Sequence, residues 1–384
     1  MPASDPSSWP WHHLNSPLHQ WDVMPSFLLG EHAFILLALL CLWHATRQGE
    51  GRRRHVFVWA AALLAGTAND LFFMALPLVD NFWQAQATWM ITARLPLYIP
   101  CVYVCFLYLP TVSAWRLGLP WWARAPASGL FAIAFYAPYD VVGAKFLWWT
   151  WHDTDRPIAS RLLGVPIGST VWVIVFAATF AAIVGRVTDA DPSMRPRSLA
   201  KGTALVAALT TPTMMLQMAP LQLLDGGAPG PRGLVAIVAA YAALLVAGAR
   251  RARAEPPAAM DGALFGGVAA HLALLAGIMV VARPEAHRSE SAHQTYGACH
   301  VEAKDLSGNV RYAYLCAADF DEDFTFACAP PPAEGQGWYT VCGKPHDRYM
   351  RMVLATSAMA ALGAAVYGAA LVGRARLARE AARA

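Results

Sequence analysis

The chain alternates between long apolar stretches and shorter polar connections, and this pattern predicts nine membrane-spanning helices. About 20 apolar helical residues are needed to cross the hydrocarbon core of a bilayer. We place the spans at Phe27–His44, Val56–Val79, Thr88–Leu109, Ala127–Trp149, Leu162–Gly185, Leu199–Leu224, Gly233–Ala249, Gly262–Ala282 and Met352–Val372. The predicted fold class is therefore an all-α, polytopic bundle of transmembrane helices.

The same pattern divides the chain into five parts. Residues 1–26 form an N-terminal tail, and residues 27–283 form a core of eight spans. Residues 284–349 form a cysteine-bearing loop, residues 350–373 the last span, and residues 374–384 a basic tail.

Composition supports a membrane protein and argues against a nucleic-acid partner. Hydrophobic residues make up 57% of the chain and charged residues only 14%, whereas soluble domains carry about 25% charge. The net charge of +4 comes from short basic clusters between apolar stretches. Such scattered charge does not form a continuous basic face. The partners that we expect are membrane lipids and an apolar small molecule, and no protein partner is indicated.

The distribution of basic residues predicts the orientation, because cytoplasmic connections retain Lys and Arg. Alternate connections and the C-terminal tail hold 17 of the 29 basic residues, whereas the opposite tail, short loops and adjoining span ends hold five. The first 26 residues contain no Lys or Arg, so they lack the positive region of a cleavable signal peptide. We expect the N-terminus outside and the C-terminus in the cytoplasm, in the inner membrane of a bacterium.

Four of the seven cysteines lie in the loop between Pro284 and Tyr349, on the side assigned as outside. Disulfides persist in oxidising compartments, so Cys299, Cys316, Cys328 and Cys342 predict two disulfides. Four cysteines allow three pairings, and the sequence does not choose among them. A zinc site is the alternative, but the loop contains no C-x2-C pair.

Ionisable and amide side chains inside the spans indicate a polar cavity, because such groups are costly in a membrane. Most of them fall in the outer half of the first six helices; they are Glu31, His32, Arg94, Lys145, Gln217 and Gln222, and Asp70 and Asp140 are placed near the midplane. Asp70 and Asp140 each lie about ten residues, roughly 15 Å, below the outer end of their predicted helix. The alternative is a set of structural ion pairs, with Arg94 next to Asp70 or Glu31 and Lys145 next to Asp140.

The stretch from Tyr139 to Trp172 is the densest in candidate functional groups. The helix carrying Asp140 is predicted to end in Trp148, Trp149 and Trp151. A polar turn follows, with His152, Asp153, Asp155 and Arg156. We therefore expect these groups to line the mouth of the cavity.

Two resemblances extend this interpretation. The segments GEHAF, DNFW, RLPLYI, PYDVVGAKF, WWTWHDTD and GVPIGSTVW resemble those of a polytopic membrane protein family whose domain has no assigned function. A shorter outline of about 35 residues is similar to carotenoid-modifying membrane proteins of the bisanhydrobacterioruberin hydratase type; it consists of Tyr139, Asp140, Trp149, Trp151, Gly164, Val165, Pro166 and Trp172. That family usually has Asn after G-V-P, where Ser169 or Thr170 stands here, and it lacks a long cysteine loop.

These observations leave three functional hypotheses open. The first is an enzyme that acts on a lipid-like or polyene substrate at the outer leaflet, with buried Asp140 or Asp70 as a general acid. The hydratase resemblance implies that this acid protonates a double bond, and Trp148, Trp149 and Trp151 would then stabilise the cation. The second is a transporter or small-molecule-binding protein. The third is a metal-dependent hydrolase that uses Glu31, His32, His152, Asp153 and Asp155, although no recognised metal spacing is present. The sequence identifies neither a cofactor nor a committed metal site.

Overall fold

The computed structural model describes most of the chain, with gaps in the termini and in several connecting segments. The described ranges are residues 13–76, 82–151, 156–252, 260–292, 295–305, 308–316, 323–330 and 332–373.

Within these ranges the structure has nine helices long and apolar enough to cross a membrane, and two short ones, α1 and α6. The helices are α1 Pro17–Val23, α2 Pro25–Thr46, α3 Arg52–Ala75, α4 Tyr98–Trp115, α5 Trp121–Lys145, α6 Arg156–Ala159, α7 Ile167–Ala190, α8 Pro196–Leu223, α9 Pro231–Ala249, α10 Gly262–Val281 and α11 Tyr349–Gly368. The predicted bundle of nine spans is confirmed.

Helix α4 occupies the centre of the bundle. Almost all of its side chains are buried, and it packs against α2, α3, α5 and α7. A helix that is apolar on every side is stable only where other helices surround it. Helices α8 and α9, by contrast, leave most of their side chains on the surface, as expected for helices that face lipid.

The connections at one end of the bundle fold into short antiparallel sheets. The paired strands are β1 His13–Leu14 with β3 Trp89–Met90, β2 Phe82–Gln84 with β4 Trp149–Trp151, β5 Arg161–Leu162 with β6 Val165–Pro166, and β8 Glu302–Lys304 with β9 Val310–Tyr312. A three-stranded sheet places β11 Tyr339–Gly343 between β10 Phe324–Thr325 and β7 Arg288–Ala292. In the pair β2–β4, Phe82 lies opposite Trp151 and Gln84 opposite Trp149.

These strands belong to one layer, which we call the cap: the described residues of segments 13–24, 82–97, 146–166, 224–230 and 282–348. Hydrogen bonds join the segments to one another and to the helices. The Asn15 amide donates to the Ala87 carbonyl at 2.7 Å, and the Ser26 hydroxyl lies 2.7 Å from Nε2 of His287. The cap therefore covers a single end of the bundle.

Several predicted helix boundaries are wrong, and two of them decide which residues belong to the cap. The third span begins at Tyr98 rather than Thr88. Trp89 and Met90 form strand β3, and Pro96 disfavours helical geometry at the residue before it, Leu95. The fourth ends at Lys145 rather than Trp149. Leu147 has a left-handed backbone (φ 58°), which does not continue a right-handed helix. Trp149 and Trp151 consequently lie in strand β4, not at a helix end.

The cysteines of the cap form two disulfides, Cys299–Cys316 and Cys328–Cys342. This confirms the predicted disulfides in the loop before the last span and selects one of the three possible pairings. The first disulfide encloses the hairpin β8–β9, and the second joins the loop after β10 to β11.

Candidate functional site

A cavity of about 420 Å³ lies between helices α3, α4, α5, α7 and α8 and the cap. Its wall is mainly aromatic and methionine-rich; these residues are Phe73, Phe82, Tyr103, Phe106, Tyr136, Tyr139, Trp149, Trp151, Trp172, Met214, Met215 and Met218. Two carboxyl groups, Asp70 and Asp140, also face this space. An apolar pocket with a few convergent polar groups is the usual form of a small-molecule site.

Asp70 is held by a chain of hydrogen bonds that joins three helices. It is buried in α3 and accepts a hydrogen bond from the hydroxyl of Tyr103 in α4. The Asn69 amide donates to the same hydroxyl at 2.9 Å, and Thr211 of α8 donates to Asn69 at 3.0 Å. Oδ2 of Asp70 is buried and has no hydrogen-bond partner among the described residues. The chain thus orients the carboxyl group of Asp70, which lines the cavity, and leaves its second oxygen without a partner in the described part of the chain.

Asp140 is the second buried carboxyl group of the cavity. It lies in α5 and accepts a hydrogen bond of 2.7 Å from the Ser169 hydroxyl, near the start of α7. One turn further along α5, Gly143 leaves room for the indole ring of Trp149, which a Cβ atom at that position would overlap. The sequence at the end of α5 therefore places a carboxyl group and an indole ring beside the same space.

Lys145 does not pair with Asp140. Five positions along a helix rotate a side chain by about 140°, so the two residues point in different directions. Lys145 is fully buried and forms an ion pair with Asp323 of the cap, whose other oxygen lies 3.4 Å from Arg161. The ion pair between Asp140 and Lys145 considered from the sequence is therefore wrong, and Lys145 anchors the cap instead.

Glu31, His32 and Arg94 lie outside the residues that line the cavity. The Glu31 carboxylate accepts hydrogen bonds from the backbone N–H of Thr88, at 3.0 and 3.2 Å, and from its hydroxyl. Nδ1 of His32 lies 2.8 Å from the Leu28 carbonyl and 3.4 Å from Glu31. Glu31 therefore fixes the segment before α4, and its carboxylate is bonded to Thr88 rather than directed at the cavity.

The three tryptophans predicted as a group separate into two environments. Trp149 and Trp151 line the cavity, with their ring centroids 5.7 Å apart. Trp148 instead packs against Phe27, with centroids 5.8 Å apart, and its indole N–H donates to Ser26 at 3.1 Å. Consecutive positions after the end of α5 turn these rings to different sides of the chain.

The remaining predicted site residues lie beside the cavity or outside the described ranges. Gln217 donates to Thr179 at 2.7 Å, away from the cavity lining, and Arg156 donates to the Gly226 carbonyl at 2.7 Å, next to the lining residue Gly227. His152, Asp153 and Asp155 lie outside the described residues. Among the described residues, no group of three His, Cys, Asp or Glu side chains could hold a metal ion.

The hairpin β8–β9 covers one side of the cavity. Asp305, Asn309 and Arg311 of this segment contribute to the lining. The Asn309 amide donates to the Gly227 carbonyl at 3.3 Å and to Asp305 at 3.1 Å, which fixes the hairpin above the connection between α8 and α9. The cap therefore adds polar side chains to a cavity wall that already includes the carboxyl groups of Asp70 and Asp140.

Both carboxyl groups lie nearer the cap than the sequence predicted. Asp70 precedes the end of α3 by five residues, and Asp140 precedes the end of α5 by five. At 1.5 Å per residue this is roughly 8 Å, about half of the predicted depth. The reason is that α3 and α5 are shorter at this end than the apolar pattern indicated.

Several residues that line the cavity were not predicted as site residues, although the sequence around some of them contains a recognisable pattern. Met214 and Met218 are four positions apart in α8 and so share one helix face. Ser169 and Trp172 stand in the segment GVPIGSTVW, but their role depends on how α7 meets α5. Tyr103 carries no local signal, because its partner Asp70 belongs to a different helix.

The comparisons with known proteins identify a family without an assigned activity. The model of a domain of unknown function, DUF7802, matches residues 8–189 and 234–370, so the chain belongs to this family. The unmatched stretch between these ranges includes α8, which carries the methionines of the cavity. No curated protein and no solved structure matches the chain.

Proposed function

We propose that this DUF7802 member is a membrane enzyme that acts on an apolar, lipid-like substrate, such as a polyene or terpenoid, by acid catalysis in the cavity. The observation that carries the proposal is the Asp70 carboxyl group, buried in an aromatic cavity with one oxygen bonded to Tyr103 and the other without a partner in the described part of the chain. A carboxyl group in such surroundings retains a proton and can donate it to a substrate.

The chemistry that suits this cavity is the hydration of a carbon–carbon double bond. The Asp70 carboxyl group donates its proton to one carbon, and the positive charge develops on the other. The ring faces of Trp149, Trp151 and Trp172 stabilise that cation. Water adds to the cation, and the proton that the added water loses returns to the Asp70 carboxylate. This step regenerates the protonated carboxyl group for the next turnover.

Asp140 has a different role in this scheme. Asp140 and Ser169 are joined by a hydrogen bond and both line the cavity. We assign to these two side chains the binding of the attacking water. The resemblance of Tyr139, Asp140, Trp149, Trp151 and the segment from Gly164 to Trp172 to the carotenoid hydratases supports the same type of reaction.

The second candidate function is the binding or transport of an apolar molecule without chemistry. The wall of Met214, Met215 and Met218 supports it, because flexible thioether side chains adapt to ligands of varied shape. The metal-dependent hydrolase has less support, since Glu31 and His32 do not line the cavity.

We also propose that the cap faces outward from the inner membrane of a bacterium, with the N-terminus outside and the C-terminus in the cytoplasm. The two disulfides support this orientation, because they persist in oxidising compartments. The excess of basic residues in the connections at the opposite end supports it independently.

The test compares lipid extracts, by mass spectrometry, from cells that express the wild-type chain, Asp70→Asn or the control Glu50→Gln. Glu50 is exposed in the turn before α3, so its substitution removes a carboxylate far from the cavity. We expect a species heavier by one water with the wild type and the control. It should be at least about 100-fold weaker with Asp70→Asn, the usual contribution of a general acid.

Two other results would change the assignment. A lipid change that persists with Asp70→Asn contradicts the role of Asp70 as the acid. Identical extracts from cells with and without the chain, together with a co-purified apolar molecule, favour the binding or transport function.

A further inference from the structure

A second cavity, of about 530 Å³, lies at the end of the bundle opposite the cap. It is bounded by the end of α4, the start of α5 and the end of α7. Its larger lining side chains are Trp115, Trp121, Trp122, Arg124, Arg186 and Asp189, and small Ala and Gly residues form the rest of the wall. Nothing in the proposed function uses this cavity.

The charges around this cavity are not balanced. Arg54 joins Arg124 and Arg186, since its guanidinium lies over the ring of Trp115, which lines the cavity. Three guanidinium groups therefore face one carboxylate, and none of them has a carboxylate oxygen within 4.0 Å among the described residues. The Nε atoms of Arg54 and Arg124 are buried, and neither has a hydrogen-bond partner among the described residues.

Tryptophan rings orient two of these three guanidinium groups. The Arg54 guanidinium lies 3.8 Å from the ring centroid of Trp115, and that of Arg186 lies 5.4 Å from the ring of Trp121. A guanidinium stacked on an indole ring keeps its N–H groups directed outward at its edge, where they can donate to an anion.

We propose that this cavity binds the phosphate-bearing headgroup of an anionic phospholipid. Guanidinium groups donate paired hydrogen bonds to phosphate oxygens, and indole rings are favoured at the depth of the lipid headgroups. Basic pockets between transmembrane helices bind such headgroups on the side that carries the basic connections. The Trp rings and the small residues Ala181 and Gly185 contact the glycerol and the upper acyl chains.

The test uses the full chain in detergent with added phosphatidylglycerol or phosphatidylcholine of the same acyl chains, and native mass spectrometry counts the lipids retained. The test variant is Arg124→Gln with Arg186→Gln. The control is Arg52→Gln with Arg53→Gln, which removes two exposed charges near the same end without touching the cavity. We expect the test variant to retain phosphatidylglycerol about tenfold less, as for the loss of a hydrogen bond to a charged group. The control should match the wild type.

Two further arms distinguish a bound phospholipid from a soluble phosphate compound and from a folding defect. Arg124→Lys with Arg186→Lys keeps the charges but loses the paired N–H donors and the stacking on Trp121, so we expect it to retain less phosphatidylglycerol than the wild type and more than the Gln variant. If the Gln variant does not fold, a Lys variant that retains less phosphatidylglycerol but as much phosphatidylcholine as the wild type still supports the proposal. Glycerol 3-phosphate should not displace the lipid. Equal losses in the test and control variants overturn the proposal. So does displacement by glycerol 3-phosphate at the concentration of the lipid, because the ligand is then a soluble phosphate compound.

Discussion

At the scale of single residues, the polar groups near the cap serve two different purposes. Asp70 and Asp140 face the cavity and accept hydrogen bonds from the neutral hydroxyl groups of Tyr103 and Ser169. Lys145, five residues after Asp140, is removed from the cavity by its ion pair with Asp323. Within the segment from Tyr139 to Trp172, Asp140 therefore lines the cavity, whereas Lys145 holds the cap to the helices.

This division predicts opposite responses to two substitutions. Asp140→Asn keeps an oxygen that accepts the Ser169 hydrogen bond, so thermal unfolding of the purified chain should change little. Lys145→Met removes the ion pair of the buried Asp323 carboxylate with Lys145 and should destabilise the chain by about 3 kcal/mol. The measurement is the midpoint of unfolding in detergent.

Combining Lys145→Met with Asp323→Leu gives the matched control for that prediction. The pair replaces both charges by apolar groups but also takes the Asp323 carboxylate away from Arg161, so only part of the lost stability should return. Loss of stability from Asp140→Asn that is as large as that from Lys145→Met would contradict the assignment of the two residues to separate roles.

His346 of the cap gives a pH dependence. Burial and the nearby positive charge of Lys145 lower the pKa of His346 from its usual 6.5 to about 4, against the opposing charge of Asp323. The folded chain therefore favours the neutral ring. Its stabilising contribution is complete above pH 6.5 and is lost as the pH falls towards 4. Lys344 is also close enough to favour the neutral ring.

The comparison is between unfolding midpoints at several pH values in this range. We expect His346→Gln to reduce the loss of stability on acidification, because Gln does not titrate. His300→Gln, an exposed position of the cap, should follow the wild type. An unchanged pH profile in His346→Gln would show that other groups control the acid sensitivity.

At the scale of elements, the hairpin β8–β9 is the piece of the cap that covers the cavity. Its residues Asp305, Asn309 and Arg311 line the cavity, and the disulfide Cys299–Cys316 encloses it. The second disulfide, Cys328–Cys342, links segments of the sheet β10–β11–β7, and none of the described side chains of this sheet lines the cavity. The two disulfides therefore support different functions of the cap.

Removing them one at a time tests this distinction. The bridged cysteines are separated by 17 and by 14 positions, so the chain entropy released is similar, about 3 kcal/mol in each case. Cys299→Ser with Cys316→Ser should speed the release of an apolar fluorescent probe from the cavity. Cys328→Ser with Cys342→Ser should leave that rate near the wild-type value, and equal release rates would contradict the role of the hairpin.

The elements also show which features the sequence encodes locally. The nine spans follow from apolar length, and the position of the cysteines in one loop predicts disulfides. The predicted end of α5 is wrong because the apolar run continues past Lys145: Leu147 is itself apolar, and only its left-handed backbone prevents the helix from continuing. Likewise, Asp323 is the partner of Lys145 although it lies 178 positions away, and such pairs depend on the assembled cap.

At the scale of the whole molecule, the two ends of the bundle differ in chemistry. The cap end holds the sheets, both disulfides and the aromatic cavity, whereas the other end holds the basic connections and the second cavity. Asp261 joins helices there, since it accepts a hydrogen bond from His44 and lies 3.7 Å from Arg116. Burial opposes its charge, but His44 and Arg116 hold the pKa of Asp261 below its usual range.

This asymmetry predicts one orientation in the membrane. Glu334→Cys places a thiol at an exposed position of the cap, and Glu50→Cys places one in an exposed turn at the basic end. A membrane-impermeant maleimide added to intact cells should label the first variant, and the second only after permeabilisation. The native free cysteines lie within helices, and labelling of the wild-type chain gives the background signal that they contribute. Because the proposed substrate enters from the outer leaflet and the proposed phospholipid from the inner one, the reverse pattern would exchange the leaflets that supply the two cavities. Labelling of both variants in intact cells would contradict a single orientation.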